Sequence, residues 1–484
     1  MEESVDIAIV GSGFSGLGAA IRLTQAGRHD FVVLEKSDAI GGTWRDNTYP
    51  GCACDVQSHL YSYSFAPNPN WSRLFATQPE IRGYLEDLTD RYHLRDRIRL
   101  NTTVIGAEWD GRGWAVRTAD GGTIRARVVV WGTGALHEPW IPEIEGLDRF
   151  AGPAFHSARW DHAADLRGRR VAVVGTGASA IQFVPAIAPE VGRLTLFQRT
   201  APWVLPKPDR QVPRSLRRLY RLLPPLQKLQ RAVAYARNEM LVGGFLRPKR
   251  MAVVERFART YLDRRFADRP DLKAKVTPDF TIGCKRILLS NDYYPALKRR
   301  NVEVVTERIL QVTENAVVTA DGVEHEADTI IFGTGFKVAD GLSRVAITGR
   351  DGAKLADAWA GGAQALLGTT IAGFPNLFVV VGPNTGLGHS SMIYMIESQL
   401  NYLLDALRVL DERGVTALDT RRERQDAFNS AIQDRLDGSV WSQGGCSSWY
   451  LDEHGMNRTL WPDYTFRFRR RTRRLDPRDH ELVA

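Results

Sequence analysis

Hydrophobic and polar positions over the first part of the chain follow the order strand, turn, helix and strand. An apolar run ends at Val10, a glycine-containing turn covers residues 11–16, and a helical pattern extends to Gln25. Gly27 is expected to stop this helix, and the apolar residues 31–34, followed by Glu35, predict the next strand. The pattern therefore predicts a βαβ unit at the start of the chain.

The same order returns far downstream. Residues 171–174 predict a strand, residues 175–180 a glycine-containing turn, and residues 193–199 the strand that follows the intervening helix. Between the two units, alternating positions predict hairpin-like strands around residues 109–118 and 123–130. Two βαβ units predict an α/β fold with two Rossmann-like dinucleotide-binding domains.

The remaining segments have other patterns. Residues 206–277 are rich in Arg and Leu, are interrupted by prolines, and predict amphipathic helices. Strands are predicted at residues 302–305, 317–319 and 329–332, and one long helix from Ser390 to Leu410. The helices form an insertion, because strands typical of a dinucleotide domain resume after them.

Both glycine turns have the spacing that places a pyrophosphate against a helix N-terminus. The first glycine makes the tight turn, the second lets the backbone approach the phosphates, and the third lets helix and strand pack closely. In the second unit Ala180 replaces the third glycine, which the pattern tolerates. The predicted phosphate-binding residues are Gly11, Gly13, Ser15 and Gly16 in the first turn and Gly175, Thr176, Gly177, Ala178 and Ser179 in the second.

The residue at the end of the second strand separates the two cofactors. Glu35 stands 24 residues after Gly11, and Arg199 stands 24 residues after Gly175. A carboxylate accepts hydrogen bonds from ribose hydroxyls and repels a 2′-phosphate, whereas an arginine pairs with that phosphate. The first unit is therefore predicted to bind FAD and the second NADPH rather than NADH.

The order of these segments predicts an FAD domain built from both ends of the chain. An NADP domain is inserted in it, and a helical subdomain is inserted in the NADP domain. The predicted divisions are the FAD-binding domain at residues 1–140 and 340–484, a linker at 141–161, the NADP-binding domain at 162–205 and 278–339, and the helical subdomain at 206–277.

Between the two units, the pattern F-x-G-x-x-x-H-x-x-x-W-[PD] is formed by Phe150, Gly152, His156, Trp160 and Asp161. At every fixed position it resembles the fingerprint of the type I (class B) flavoprotein Baeyer–Villiger monooxygenase family. A second pattern, G-G-x-W-x-x-x-x-Y-P-G-x-x-x-D, is matched from Gly41 to Asp55. The resemblance covers nearly the whole chain, with the twin glycine turns in the family's order.

The resemblance implies an enzyme that uses FAD, NADPH and O2 to insert one oxygen atom beside the carbonyl of a ketone, giving an ester or lactone. In this family a C4a-peroxyflavin is stabilised by bound NADP+ and by an arginine in a Lys-Arg pair after the helical insertion, which Lys285 and Arg286 match. A guanidinium keeps its proton at neutral pH, so it suits the stabilisation of an anion. Asp55 is implied to pair with Arg286, as a buried carboxylate beside a buried guanidinium.

Further roles are also implied by the resemblance. Lys285 and Thr200 are implied to contact the NADP 2′-phosphate together with Arg199. His156 is implied to couple the two half-reactions structurally rather than to act as an acid or base, and Trp449 to close over NADP and substrate. Other flavin-binding positions are Gly42, Thr43, Trp44, Asp55, Tyr61, Val104 and Asn384.

Three other interpretations stay open. A flavin monooxygenase that oxygenates nitrogen or sulfur, with a sulfide as substrate, shares the scaffold, but the Trp160-Asp161 ending favours the ketone reaction. An NADPH–flavin reductase would form no oxygenating intermediate, and a non-catalytic flavoprotein would bind FAD that NADPH cannot reduce. A redox-active Cys52–Cys54 pair is disfavoured, because a disulfide with that spacing is strained.

Composition and charge limit the classes of function and binding partner that the chain can have. The 484 residues are 43% hydrophobic and 25% charged, and the net charge is +8. Half of that excess comes from residues 466–484, where seven arginines face three acids, and this tail is expected to be a solvated face. No nucleic-acid module, integral membrane segment or metal site is predicted, although membrane-surface contact of residues 206–277 stays open.

Cysteine usage and the N-terminal residues predict the compartment. Four cysteines are too few for a disulfide scaffold in a chain of this length. The first strand begins at once, without the basic and apolar regions of a signal peptide, so a cytoplasmic protein is expected. The oligomeric state and the identity of the ketone are not readable from the sequence.

Overall fold

A computed structural model describes residues 2–337, 342–446, 448–452 and 454–483 of the chain. The strands in chain order are β1 (Glu2–Val10), β2 (Phe31–Leu34), β3 (Ile98–Arg99), β4 (Val104–Trp109), β5 (Trp114–Thr118), β6 (Thr123–Trp131), β7 (Ala154–His156), β8 (Arg170–Val174), β9 (Arg193–Phe197), β10 (Val204–Leu205), β11 (Leu288–Leu289), β12 (Val302–Val305), β13 (Ile309–Val312), β14 (Ala316–Thr319), β15 (Glu324–Glu326), β16 (Thr329–Phe332), β17 (Ala346–Thr348), β18 (Leu377–Val379), β19 (Ala417–Thr420) and β20 (His480–Val483).

The helices complete the layers. In chain order they are α1 (Phe14–Gln25), α2 (Thr43–Asp46), α3 (Gln78–Arg91), α4 (Ala180–Ile187), α5 (Arg214–Leu222), α6 (Pro224–Glu239), α7 (Val242–Phe245), α8 (Pro248–Arg265), α9 (Pro270–Val276), α10 (Tyr293–Leu297), α11 (Leu355–Ala358), α12 (Met392–Arg413), α13 (Arg422–Asp437), α14 (Val440–Gln443) and α15 (Thr465–Arg471). None of them is long and apolar enough to cross a membrane, as far as the described part of the chain shows.

The larger sheet has the strand order β17-β4-β5-β6-β1-β2-β3, with β18 also paired to β6. Strand β1 is parallel to β2 and β6, and its apolar run is unbroken because both of its faces are covered. Ile7 and Ile9 pack into the core that contains α1 and α12. Ala8 and Val10 pack into a second core, shared with β5 and β6, on the opposite face.

The second sheet is parallel and has the order β12-β9-β8-β16-β7. Strands β17 and β18 lie after these strands in sequence, yet they pair with β4 and β6 of the larger sheet. The chain therefore leaves the larger sheet, builds the second one and returns. This is the expected α/β fold with two parallel Rossmann-like sheets.

Two predicted elements differ in their bounds. The strand predicted around residues 109–118 is interrupted by a turn, because β4 ends at Trp109 and pairs with β5 through an antiparallel hairpin. The long helix is α12, which starts at Met392 rather than Ser390 because the Ser391 hydroxyl accepts the Ile393 amide hydrogen at 3.2 Å. It ends at Gly414, whose φ of +60° terminates it with a left-handed residue.

The predicted helical insertion is present as α5 to α9. Its prolines begin helices rather than merely interrupting them: Pro224, Pro248 and Pro270 each stand in the first turn of a helix. A proline there lacks only an amide hydrogen that would have no partner inside the helix.

The C-terminal tail is largely solvated, as the sequence predicts, since six of its seven arginines are exposed, but it is also docked onto the fold. Arg469 in α15 donates to the buried Glu397 at 2.7 Å, and its guanidinium lies 3.7 Å from the centroid of the Tyr394 ring. Strand β20 pairs with β19 in an antiparallel ladder. The charges of the tail are therefore partly used to dock it onto α12 and β19.

Helix α12 packs against α1, and Leu400 is fully buried at this contact. A Cβ added at Gly18 would lie 2.9 Å from Leu400 Cδ1, so the two helices approach closely. We expect Leu400→Ala to lower the free energy of unfolding by about 2–5 kcal/mol, because it leaves a cavity between them. Leu310→Ala removes a half-exposed leucine and is the control. Urea unfolding that gives equal midpoints for both variants would contradict this packing account.

Candidate active site

The first glycine turn joins β1 to α1 and is tightly packed at Gly11 and Gly16. Gly11 has a φ of +97°, and a Cβ added at Gly16 would stand 1.8 Å from the Gly11 carbonyl oxygen. A Cβ on Gly13 would find its nearest neighbour, Gly42 Cα, only at 3.6 Å, so that side of the turn is accessible. No side chain caps the start of α1. The turn thus offers free backbone N–H groups where a pyrophosphate fits.

Glu35 follows β2 and points back to this turn. Its carboxylate accepts from the Ser12 backbone N–H at 3.0 Å, the Ser12 hydroxyl at 2.6 Å and Arg45 Nη1 at 2.9 Å. Burial acts to raise the pKa of Glu35, but the Ser12 hydrogen bond and the Arg45 charge outweigh it, so the pKa is lowered. The acid is therefore ionised beside the turn. The sequence predictions missed Ser12 and Arg45, although both lie in the motifs that were quoted.

The Gly-Gly-x-Trp motif lies directly on the first turn. Gly42 has a φ of +53°, and a Cβ on it would lie 3.1 Å from Gly13 Cα. Helix α2 then brings Trp44, whose Nε1 donates to the Tyr61 hydroxyl at 3.1 Å. The predicted residues Thr43, Trp44 and Tyr61 therefore form one group with the start of α1.

The second turn repeats the geometry of the first. Gly175 has a φ of +103°, and a Cβ on it would lie 2.6 Å from the Gly333 carbonyl oxygen. Gly177 is open, with its nearest neighbour 3.6 Å from an added Cβ. The Thr176 hydroxyl donates to the Thr200 carbonyl at 3.1 Å, which holds the turn against the end of β9. The Ser179 side chain does not cap α4, so its first N–H groups are also available.

Two cations gather beside the second turn. Arg199 is exposed just after β9, and its side chain has no ion pair or hydrogen bond within the described ranges. Burial lowers the pKa of Lys285, and the positive charge of Arg199 lowers it further. The Lys285 ammonium also lies 5.1 Å from the centroid of the Phe280 ring. Two neighbouring cations that repel each other are suited to an anion such as a 2′-phosphate.

Asp55 and Arg286 form a two-pronged ion pair. Arg286 Nε donates to Asp55 Oδ2 at 2.7 Å, and Arg286 Nη2 donates to Asp55 Oδ1 at 2.8 Å. Arg286 Nη1 also approaches the Leu387 carbonyl oxygen at 3.4 Å. The pair was expected to be buried, but the Arg286 and Asp55 side chains are 31% and 27% exposed, so the pair is only partly buried. This is a correction, and it leaves the guanidinium accessible to a ligand.

Both members of this pair are charged. The Asp55 carboxylate raises the pKa of Arg286 further above its ordinary value, which already keeps the group charged at neutral pH. Burial acts to raise the pKa of Asp55, but the Arg286 charge and its hydrogen bonds outweigh this and lower it. The arrangement can stabilise negative charge on a bound group, and it cannot deliver a proton from Arg286.

Two side chains near the pair were not predicted. Tyr450 is 1% exposed, its hydroxyl has no hydrogen-bond partner in the described segments, and burial raises its pKa to about 12 despite the opposing Arg286 charge. Lys207 lies close enough to Asp55 and Cys54 to interact electrostatically, while burial lowers its pKa. No local motif identifies either residue, because each reaches the pair from a distant segment.

A disulfide between Cys284 and Cys446 was also not predicted. It joins the residue before Lys285 to the segment that leads to Tyr450, across a sequence separation of 162 residues. Cys52 and Cys54 are free thiols. Spacing alone does not indicate such a pairing, since any two of four cysteines satisfy the count.

The fingerprint residues support the second sheet. A Cβ on Gly152 would lie 2.2 Å from the Asp328 carbonyl oxygen, and Trp160 packs on Phe183 of α4 with ring centroids 5.5 Å apart. His156 ends β7, and its Nδ1 accepts from the Ala158 N–H at 3.1 Å. The other predicted positions are Phe150, packed on the core of this sheet, and Asp161, whose carboxylate accepts from the Ala163 N–H.

Three further predicted site residues are Asn384, Val104 and Trp449. Asn384 is buried, and its amide nitrogen donates to the carbonyls of Asn457 and Leu460. Val104 is half-buried at the start of β4. Trp449 is 49% exposed and packs on Tyr450, with ring centroids 4.5 Å apart. The predicted closure by Trp449 is not tested by this geometry.

Known proteins resemble this arrangement. A family model described as pyridine nucleotide-disulphide oxidoreductase matches residues 8–229. A Baeyer–Villiger monooxygenase of Pseudomonas aeruginosa is 52% identical over 482 residues, which are 99% of this chain and 91% of the relative. The crystal structure of cyclohexanone monooxygenase from Rhodococcus sp. Phi1 bound to NADP+ is 28% identical, with a TM-score of 0.91 over 100% of both chains. OTEMO in complex with FAD and NADP is 26% identical, with a TM-score of 0.89 over 100% of both chains.

Buried histidines predict a pH dependence of stability. Burial lowers the pKa values of His59, His156 and His480 to about 4. An unfolded histidine has a pKa of about 6.5, so between these values the unfolded chain binds protons that the folded chain does not. Stability is therefore expected to fall as the pH decreases from about 6.5, by up to ~1.4 kcal/mol per pH unit for each histidine.

His156→Asn should remove one of these contributions. The difference in unfolding free energy between pH 7 and pH 5 should shrink by roughly 1–2 kcal/mol in urea titrations. His29→Asn, at an exposed histidine, should leave that difference unchanged. An equal loss of stability in wild type and His156→Asn would contradict a neutral buried His156.

Proposed function

The chain belongs to the Baeyer–Villiger monooxygenase family, and we propose that Arg286, oriented by Asp55, stabilises the negative charge that develops during oxygen insertion. The observation that carries this proposal is the two-pronged ion pair that joins Asp55, at the end of the Gly-Gly-x-Trp motif, to Arg286, the residue after Lys285. Its geometry fixes the guanidinium plane and leaves part of it accessible.

The reaction uses FAD and NADPH. Bound FAD, once reduced by NADPH, activates O2. In the balance, a ketone, O2, NADPH and a proton give an ester or lactone, NADP+ and water. The ketone is proposed because the matched structure of Rhodococcus is a cyclohexanone monooxygenase.

Arg286 is proposed to act by electrostatics alone. Its raised pKa keeps the guanidinium charged, so it stabilises an oxyanion without protonating it. Asp55 orients the guanidinium through two hydrogen bonds and offsets the desolvation free energy of the partly buried cation. Donors of this kind contribute about 10²–10³-fold to the rate when they are aimed at the developing charge.

The two cofactors are assigned to the two turns. The proposed FAD-binding residues are Gly11, Gly13, Ser15, Gly16, Glu35, Gly42, Thr43, Trp44, Asp55, Tyr61, Val104 and Asn384. The proposed NADPH-binding residues are Gly175, Thr176, Gly177, Ala178, Ser179, Arg199, Thr200 and Lys285. The ionised Glu35 and the paired cations Arg199 and Lys285 support this assignment.

The domain division follows the sheets. The FAD-binding domain is proposed to comprise residues 1–140 and 340–484, and the NADP-binding domain residues 162–205 and 278–339, with a linker and a helical subdomain between them. The pairing of β17 and β18 with the larger sheet supports this. The boundary at residues 339 and 340 lies outside the described residues.

The fingerprint and the C-terminal segment are proposed to control closure. Phe150, Gly152, His156, Trp160 and Asp161 brace the linker against the second sheet, which supports a structural role for His156. Trp449, exposed beside Tyr450, is proposed to cover the Asp55–Arg286 pair and exclude water during the reaction.

Arg199 and Lys285 should determine the preference for NADPH over NADH. Arg199→Ala and Lys285→Ala should each raise the KM for NADPH about 10–100-fold, since each removes a charge-assisted contact with the 2′-phosphate. The KM for NADH should change little. Steady-state NADPH and NADH oxidation by purified holoenzyme measures both values.

A matched control is Arg193→Ala, which removes the cation at the start of β9, whereas Arg199 lies beyond the end of that strand. Arg193 pairs with Glu303 at 2.6 Å. If Arg193→Ala and Arg199→Ala raise the NADPH KM equally, or if NADH is affected as strongly as NADPH, the assignment of Arg199 is wrong.

Oxygen insertion can be tested with labelled oxygen. Holoenzyme, NADPH, cyclohexanone and 18O2 should yield caprolactone that carries one 18O atom, detected by mass spectrometry. Unlabelled lactone, or NADPH oxidation that yields only hydrogen peroxide from this and other ketones, would contradict the proposal. Oxygenation of a sulfide in a parallel reaction, with no ketone converted, would favour the heteroatom-oxygenating alternative.

A further inference from the structure

Helix α6 presents its apolar side to solvent. Pro225, Leu229, Ala232, Val233, Ala236 and Met240 are all exposed, and their spacing places them on one face of the helix that continues to Met240. Leu229 is 59%, Val233 56% and Met240 73% exposed. A surface helix normally directs such a stripe into the core.

The opposite, polar side of α6 faces the protein. Gln227 Nε2 donates to the Asn68 carbonyl at 2.8 Å, and Arg231 Nη1 donates to the Ser62 carbonyl at 2.7 Å. At the far end of the helix, Glu239 Oε1 accepts from the Thr465 hydroxyl at 2.7 Å. These contacts run along the whole helix and fix its rotation, so the apolar stripe cannot turn inward.

The exposed apolar surface continues into α5. Leu222 and Leu223, at the junction of α5 and α6, are 70% and 54% exposed, and Leu219 is 37% exposed. We call Leu219, Leu222, Leu223, Leu229, Val233 and Met240 the α5–α6 face. Single exposed leucines are ordinary, but a continuous set on neighbouring helices indicates an interaction surface.

The α5–α6 face is bordered by cations. Lys228 and Arg237 lie about 90° to either side of the Leu229 direction on α6, at a rotation of about 100° per residue. Arg218 and Arg221 are exposed on α5. Between Asp209 and Glu255 the only acidic residue is Glu239, which is buried. The two helices that form the face therefore carry exposed cations and no exposed carboxylate of their own.

The combination of an apolar stripe with cationic borders favours one class of binding partner. Nucleic acid requires the cations but not the apolar stripe. A second copy of the chain, docked through the same face, would bring the two cationic borders together, which is unfavourable. An anionic lipid surface accommodates both, because the leucines enter the acyl boundary while Lys and Arg contact the headgroups.

We propose that the α5–α6 face docks this protein on an anionic phospholipid bilayer. Helices α5 and α6 lie in the interfacial plane, and the rest of the chain stays outside the bilayer. The assignment is independent of the residues that perform the oxygen insertion, because none of them lies on this face.

Contact can be located with a fluorophore. Met240→Cys, labelled with an environment-sensitive dye, should show a blue shift with vesicles of phosphatidylcholine and phosphatidylglycerol at about 7:3. Labelled Ile105→Cys is the control, since Ile105 is 50% exposed on β4. Cys52 and Cys54 are buried, which limits labelling elsewhere. No shift at position 240, or equal shifts at both positions, would overturn the proposal.

Variants separate the apolar from the electrostatic contribution. In vesicle co-sedimentation of the holoenzyme, Leu229→Asn/Val233→Asn and Lys228→Glu/Arg237→Glu should each weaken binding at least about tenfold. The controls Ile105→Asn/Leu310→Asn and Arg112→Glu/Arg300→Glu alter exposed residues of the same types elsewhere and should bind like wild type. NADPH oxidation with a water-soluble ketone should be unchanged in all four variants, which verifies folding.

Several outcomes would overturn the membrane assignment. Wild type that sediments with neither anionic nor pure phosphatidylcholine vesicles would do so, as would anionic binding that survives Leu229→Asn/Val233→Asn. A dimer in light scattering that this double variant abolishes would assign the face to a second copy of the chain. Binding to a DNA or RNA oligonucleotide that competes with vesicles and does not depend on Leu229 and Val233 would assign the cations to nucleic acid.

Discussion

The ion pair between Asp55 and Arg286 is the constraint on which the site depends. It joins the loop after the Gly-Gly-x-Trp motif to the segment that follows the helical insertion, and Arg286 also approaches the Leu387 carbonyl. Three distant stretches of chain therefore meet at one guanidinium. A partly desolvated cation requires such a partner, since removal of the carboxylate would leave its charge uncompensated. The same requirement fixes the position of the guanidinium that we propose to support oxygen insertion.

The two glycine turns share one backbone conformation but differ in the charge of the residue that follows the second strand. Each uses a glycine with positive φ and a helix start that no side chain caps. The difference lies in the residue after the second strand. Glu35 is enclosed by Ser12 and Arg45 and stays ionised, whereas Arg199 is exposed beside Lys285. Opposite charges in the same register are the basis on which we propose that one turn binds ribose hydroxyls and the other a phosphate.

Sequence patterns predicted the features that depend on local geometry. The turns, the bounds of β12 and β16, and the helical insertion follow from glycine spacing and hydrophobic period. The Asp55–Arg286 pairing came from family resemblance, and the structure brings the two side chains together. Tyr450, Lys207 and the Cys284–Cys446 disulfide were missed, because they reach the site across long sequence separations. The amphipathic pattern of α6 was visible in the sequence. That pattern alone does not determine which face of the helix packs against the rest of the protein.

The measurement that tests the central claim most directly separates flavin reduction from oxygen insertion in Arg286→Ala. Rapid mixing with NADPH under anaerobic conditions gives the reduction rate, and product analysis in air gives the ester formed per NADPH consumed. The account predicts reduction within about threefold of wild type and a loss of ester formation of about 100-fold or more, with NADPH diverted to hydrogen peroxide. Ester formation near the wild-type level, or a comparable loss in the reduction rate itself, would contradict the role assigned to Arg286.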